Sequence, residues 1–364
     1  MDMIDTATMK TLTVAGARRL VKTLGHHINL SGLTRISDKV AEELGRGTGS
    51  LDLNGLSELT PRTAAELAKR KGASGDLHLN GLTSISVETA EALARYEGSL
   101  MLDGLTQLSD DVAAALAKFK GRNLDLDGLH TISNKGLATL AASGMKRLSF
   151  GFKSISEEQA EILSAYKGEL GLDITWLSSP VAAILGRRKG RLVLECLRAL
   201  SPDAARGLAR HRGDLAMNGL ERISAPAAWQ LARHKGDIQL CGVKKLTRNT
   251  AKALATVKGV VKLNGLENTT PGVVAELAKR PDPLHLSITT LTDGMAKALS
   301  RCQGYVSLYD VKELTDKQVE ILLPKYAAGT LKLFSFSESY QKMEMVWNEA
   351  RDNWRWPFRK RKGI

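Results

Sequence analysis

A segment of mostly 22 to 24 residues recurs thirteen times along the chain, and a period of that length points to stacked units that each contact only their neighbours. The clearest copy is LHLNGLTSISVETAEALARYEGS, Leu77 to Ser99. It opens on alternating Leu77 and Leu79, turns at Gly81, and sets apolar Leu82 and Ile85 ahead of Ser86. An alanine-rich helix of about three turns then runs to Tyr96, and Gly98 closes it in the manner of a left-handed C-terminal cap. Strand starts fall at Ile28, Leu51, Leu77, Leu100, Leu124, Leu148, Leu170, Leu192, Leu215, Ile238, Val261, Leu284, Val306 and Leu331, with a short insertion around Ala73 to Gly75.

Two positions in the unit identify its second half. The tenth is Ser or Thr in all thirteen copies, from Ser37 to Thr315. A hydroxyl just ahead of a helix accepts an unpaired first-turn N–H, a contact worth ~1 kcal/mol. Seven residues later every copy has Leu, from Leu44 to Leu322, and between them ten copies have Ala, with Leu137, Val274 and Val319 in the others. Residues three apart share a helix face. Each unit therefore reads as strand, turn and helix, with an apolar face that only the next unit can bury. The units starting at Leu148, Leu170 and Leu284 are one residue short in the turn.

The ends are atypical. Residues 1–27 form half a unit, with Thr13, Ala17, Leu20 and Gly25 in the positions of cap, alanine, leucine and closing glycine. Residues 28–336 hold the thirteen units and the start of a fourteenth strand. In 337–358, Tyr340, Met343, Trp347, Ala350 and Trp354 recur at three- and four-residue intervals, a helical stripe suited to capping the last unit. Pro357 ends that helix, and 359–364 is a basic tail.

Several function classes drop out. No window approaches the ~18 apolar residues of a membrane span, and the start has no apolar signal core. Cys196, Cys241 and Cys302 are too scattered for a disulfide framework or a zinc site. These features predict a cytoplasmic protein. There is no phosphate-cradling Gly-rich loop, no H-E-x-x-H and no nucleophile elbow, so no enzyme, metal or cofactor is expected. His211 and His234 occupy equivalent positions, but their basic neighbours would repel a cation.

With its recurring leucines, the chain resembles the leucine-rich repeat proteins over roughly residues 12–336. The resemblance implies a right-handed α/β solenoid, arc-shaped, with parallel strands on the concave side and helices on the convex side. It implies no catalytic residues, only a surface that binds a partner. The unit departs from the family's L-x-L-x-x-N, since the Asn-ladder position is apolar (Leu56, Leu82, Leu105, Leu220). The turn must be held in another way.

Two charged surfaces are candidates for binding. Side chains between the strand leucines face away from the core, and among them Asp52, Asp103, Asp125, Asp127, Asp173 and Glu195 form an acidic face suited to a basic protein partner. Asp103 and Asp127 fall on adjacent strands ~4.8 Å apart, which disfavours full ionisation of both. The alternative is a basic stripe at the helix ends: Lys69, Arg70, Lys71, Lys118, Lys120, Arg187, Arg188, Lys189, Arg210, Arg212, Arg233 and Lys235. With a net charge of +13, such a stripe could track a nucleic-acid backbone. The aromatics near it, Tyr96, Phe119 and Tyr166, are few for single-strand binding. A third reading is a spacer within a larger assembly.

Overall fold

The computed structural model describes residues 6–24, 27–71, 75–267, 269–334, 341–346 and 348. Among the described residues, fourteen strands alternate with fourteen helices, and residues 341–346 and 348 are also helical. The chain divides into two compact units, Met1–Trp176 with Arg187–Glu195, and Leu177–Gly186 with Cys196–Ile364. In the first, eight strands from His27–Asn29 to Leu192–Val193 pair in sequence order, all parallel. In the second, six strands from Leu215–Ala216 to Leu331–Phe334 do the same.

The register follows the repeat. Leu77 lies opposite Leu51 and Leu100, and Val261 opposite Ile238 and Leu284. These strand leucines are buried, as are their alternates Leu53, Leu79 and Leu102. All thirteen predicted capping hydroxyls cap helices, each accepting an N–H three residues on. The helix leucines from Leu44 to Leu322 are all 0% exposed. A parallel strand layer and a helix layer thus enclose one thin aliphatic core in each unit.

Two local expectations need correction. The helix after Ser86 spans Val87–Leu93, two turns instead of three. Beyond it the amides of Arg95 and Tyr96 bond the carbonyls of Ala92 and Leu93, three residues back, and this tightening turns Tyr96 inward. The closing glycine is not generally a left-handed cap. Among the described glycines only Gly49, Gly259 and Gly329 have positive φ. At Gly98 a Cβ would fall 2.1 Å from the Gly75 carbonyl oxygen of the preceding repeat. Glycine is needed there because two backbones touch.

At the N-terminal end, Val14–Leu24 is helical, Thr13 Oγ1 accepts the Gly16 N–H at 3.1 Å, and Ala17 and Leu20 are buried. Gly25 lies outside the described residues. At the other end Met343 is 0% exposed. Lys342 Nζ donates to the Leu314 carbonyl at 3.0 Å and pairs with Asp316 at 2.8 Å. Tyr340, Trp347, Ala350, Trp354, Pro357 and the basic tail lie outside the described residues.

Candidate interaction surfaces

The strand face of the first unit carries a side-chain ladder. Asn54 Oδ1 accepts the Asn80 N–H at 2.9 Å, Asn80 Oδ1 the Asp103 N–H at 3.0 Å, and Asp103 Oδ1 the Asp127 N–H at 3.1 Å. Asn218 does the same for Cys241 in the second unit, at 3.0 Å. An acceptor ladder therefore joins these repeats, at a different position from that of the leucine-rich-repeat pattern. It lies directly after the second strand leucine, two residues before the Asn position of that pattern, and Asp serves as well as Asn because only an acceptor is required.

Four of the six predicted acidic residues gather here. Asp103, Asp125, Asp127 and Asp173 lie close enough for their charges to act on one another, and Asp76 joins them. Asp52 accepts the Asn54 N–H at 2.9 Å two strands away from Asp103, and Glu195, after the strand Leu192–Val193, is exposed. Arg147 bridges Asp125 and Glu169 loosely, at 3.7 Å each, and Lys153 stands 3.8 Å from Asp173.

Burial pushes the Asp125 carboxyl up to about 6, Arg147 opposing and the neighbouring aspartates adding to the shift. One Asp125 oxygen is buried without a hydrogen bond. Asp103 and Asp127 are also raised, burial being the first cause for both. The suppression of ionisation expected from the pair is present, but desolvation outweighs mutual repulsion. The Asp103–Asp127 contact is itself a hydrogen bond from backbone to carboxylate.

The helix-end stripe has a different anatomy from the one predicted. Arg70 and Arg188, its inner members, are 3% and 1% exposed. Arg70 donates to the carbonyls of Leu44, Thr48 and Gly49 at 2.6–2.9 Å. Arg188 reaches Leu163 and Gly168 at 2.7 and 2.8 Å. Arg280 and Lys325 fill the same position in later repeats and bond carbonyls of the repeat before. So do Tyr96 and Tyr166, whose hydroxyls donate to Gly75 and Met145 at 3.0 Å. Phe119 and Val257 fill the column without bonding. Burial lowers the guanidinium of Arg188 to about 10 and raises both tyrosines to about 12.

This column is structural, so Arg70 and Arg188 leave the candidate surface. Of the exposed flanks, Lys69, Lys118 and Arg187 pair with Glu66, Glu91 and Glu161. Lys71, Lys120, Lys189, Arg210, Arg212, Arg233 and Lys235 are exposed. His211 and His234 belong to the buried column, stacked 6.1 Å apart. Burial lowers the His234 pKa. No group of three or more metal-ligating side chains occurs among the described residues.

Sequence reasoning missed one surface. On the strand face of the second unit, His285, Tyr309 and Phe334 form a row. Tyr309 and Phe334 stack at 4.7 Å and 6°, and His285 lies 6.2 Å from Tyr309. Lys332 Nζ sits 4.4 Å over the Phe334 ring, and Lys262 pairs in register with His285. The available signal was their offset from the strand starts Leu284, Val306 and Leu331, which puts all of these residues on one face.

No protein-family model matches the chain, and no curated protein matches its sequence. Among solved structures it is similar to an internalin of Listeria monocytogenes at 15% identity, over 90% of this chain and 95% of that one, with a TM-score of 0.43. A leucine-rich repeat protein of Leptospira interrogans aligns at 13% identity, over 90% and 100%, with a TM-score of 0.34. TLR13, solved in complex with ssRNA13, aligns at 16% identity over 84% of this chain and 42% of that one, with a TM-score of 0.37. No helix among the described residues is long and apolar enough to cross a membrane. By its own geometry, a leucine-lined parallel strand and a capped helix in every repeat, the chain is a leucine-rich-repeat-like α/β protein in each of its two units.

Proposed function

We propose that the protein is a cytoplasmic interaction scaffold that binds without catalysis, and that a basic protein partner docks on the strand face of the first unit. One observation carries this reading: Asp103, Asp125, Asp127 and Asp173 crowd together at a cost in desolvation, with Arg147 and Lys153 in loose pairing and the Ser149 hydroxyl donating to Asp127. A cation brought by a partner would relieve that cost, and paired charges at an interface favour both approach and register. Asp52 and Glu195 lie at the margins of this face. None of the three cysteines is in a disulfide among the described residues, in keeping with a reducing compartment. The segment 337–358 closes the last repeat in this reading, supported by the buried Met343.

The test uses neutral isosteres, because lysine at 103 would leave the Asp127 N–H without an acceptor. The triple variant Asp103→Asn, Asp125→Asn, Asp127→Asn retains the ladder and removes the charge. Partners captured by the wild-type protein are identified by mass spectrometry and their affinities measured against the variant. We expect a basic partner to bind at least ~10-fold more weakly, a loss of about 1.4 kcal/mol. Unchanged affinity with an unchanged circular dichroism spectrum would remove this face as the site.

A further inference from the structure

The strand face of the second unit has a character opposite to that of the first. Its outward side chains include Lys262, His285, Tyr309, Lys332 and Phe334. Three of these are rings in one row, with planes 23° apart at the first junction and 6° at the second. His285 Nδ1 lies 3.3 Å from the Tyr309 hydroxyl. Phe334 is 40% exposed. Its ring stacks on Tyr309 and also lies 4.4 Å from the Lys332 ammonium. Burial and Lys262 both lower the His285 pKa, so at neutral pH this ring contributes a π face more than a charge.

We propose that this row is a docking surface for single-stranded nucleic acid. A planar base placed against Phe334 continues the stack, since every base offers a π face and stacking on aromatic side chains is tolerant of sequence. In the free protein the Lys332 ammonium lies over that ring. When a base takes its place, the long exposed side chain swings to an adjacent phosphate, exchanging a cation–π contact for a charge-assisted hydrogen bond. Lys262 stands three strands from Lys332, in register with it through His285 and Ser307, so the two ammonium groups flank the line a phosphate backbone would follow.

The rings decide between partner classes. An acidic protein segment would engage the lysines but gain little from three aligned rings. A duplex presents phosphates while its bases stay stacked on each other. Only a single strand uses both halves of the surface. The inference is independent of the acidic-face reading and concerns other residues, so each can fail alone.

The test is fluorescence anisotropy with labelled oligo(U), oligo(dT) and a duplex of equal length, on the full chain, between about 50 and 200 mM salt. Single strands are expected to bind more tightly than duplex. Phe334→Leu, which keeps an apolar side chain and removes the ring, should weaken binding roughly 5- to 150-fold, the range of one lost base stack. Lys332→Gln should reduce the salt slope by about 0.7. Arg212→Ala with Lys235→Ala, in the helix-end stripe, should change affinity less than Phe334→Leu. The proposal is overturned by any of four results: no binding at low salt, equal affinity for duplex, loss in the stripe variant in place of the ring variant, or displacement by poly-glutamate as readily as by unlabelled oligo(U).

Discussion

At the strand ends Asn54, Asn80 and Asp103 each accept one backbone N–H from the following repeat. At the helix ends Arg70, Tyr96, Arg188, Arg280 and Lys325 reach back to carbonyls of the preceding one. Both columns join neighbouring repeats, yet one uses Asn and Asp while the other accepts five or more residue types. The difference lies in what each must satisfy. A strand-end side chain meets a single N–H at a fixed short reach, so only a short acceptor fits. A helix-end side chain fills a volume bordered by several carbonyls, and a guanidinium, a phenol or an ammonium can meet one to three of them.

The largest effect that could break this comparison is at Arg188. Its truncation in Arg188→Ala opens a cavity and removes two charged hydrogen bonds, so we expect a loss of about 3 kcal/mol in chemical denaturation. Arg188→Tyr should recover at least half, because Tyr166 holds the same position one repeat earlier. If tyrosine is no better than alanine, the column is not interchangeable.

Next in size is Asp125, which shares the strand face but, unlike its ladder neighbours, has a buried oxygen without a hydrogen bond. Its carboxyl titrates near 6 in the folded protein against an ordinary 3.8. A raised acid pKa means that the folded state holds the proton more tightly, so this contribution is complete below about pH 4 and lost as pH rises through 6. Denaturation across that window should show about 2–3 kcal/mol less stability at the high end from this group. Comparison with Asp125→Asn isolates it, since the amide does not titrate.

A smaller loss, ~1 kcal/mol, is expected for Asn80→Ala, which leaves the Asp103 N–H without its acceptor. Asn80→Asp should fall within about 0.5 kcal/mol of wild type, because an aspartate does the same work at Asp103. Equal losses for alanine and aspartate would show that the amide donor of Asn80 matters, contrary to the acceptor-only rule.

The same contrast explains what could be read from residue order alone. Capping hydroxyls, the small helix residue and the helix leucine each answer one demand repeated thirteen times, so identity recurs and the period is plain. The helix-end column answers a demand for volume and donors, and Arg70, Phe119, His211, Val257 and Cys302 share no type by which a common task is recognised. A charged residue beside Lys69 and Lys71 looks like surface, and its burial shows only when the chain tightens after the helix. That tightening also shortened the helices, since Ala94 and Arg95 are as helix-compatible as the residues before them. The acidic cluster was legible through strand alternation. The ring row was not, because Tyr309 and Phe334 occur only in the last repeats and no periodicity draws attention to them.

The bonds of both columns end on main-chain atoms, which every residue type but proline supplies in full. A repeat therefore sets few conditions on the side chains of its neighbour, and one copy can stand beside almost any other. An array joined in this way can lengthen by duplication without inventing a new junction. Its copies are then free to diverge on the outward strand face, which is how one chain comes to carry crowded carboxylates in one unit and a row of rings in the other.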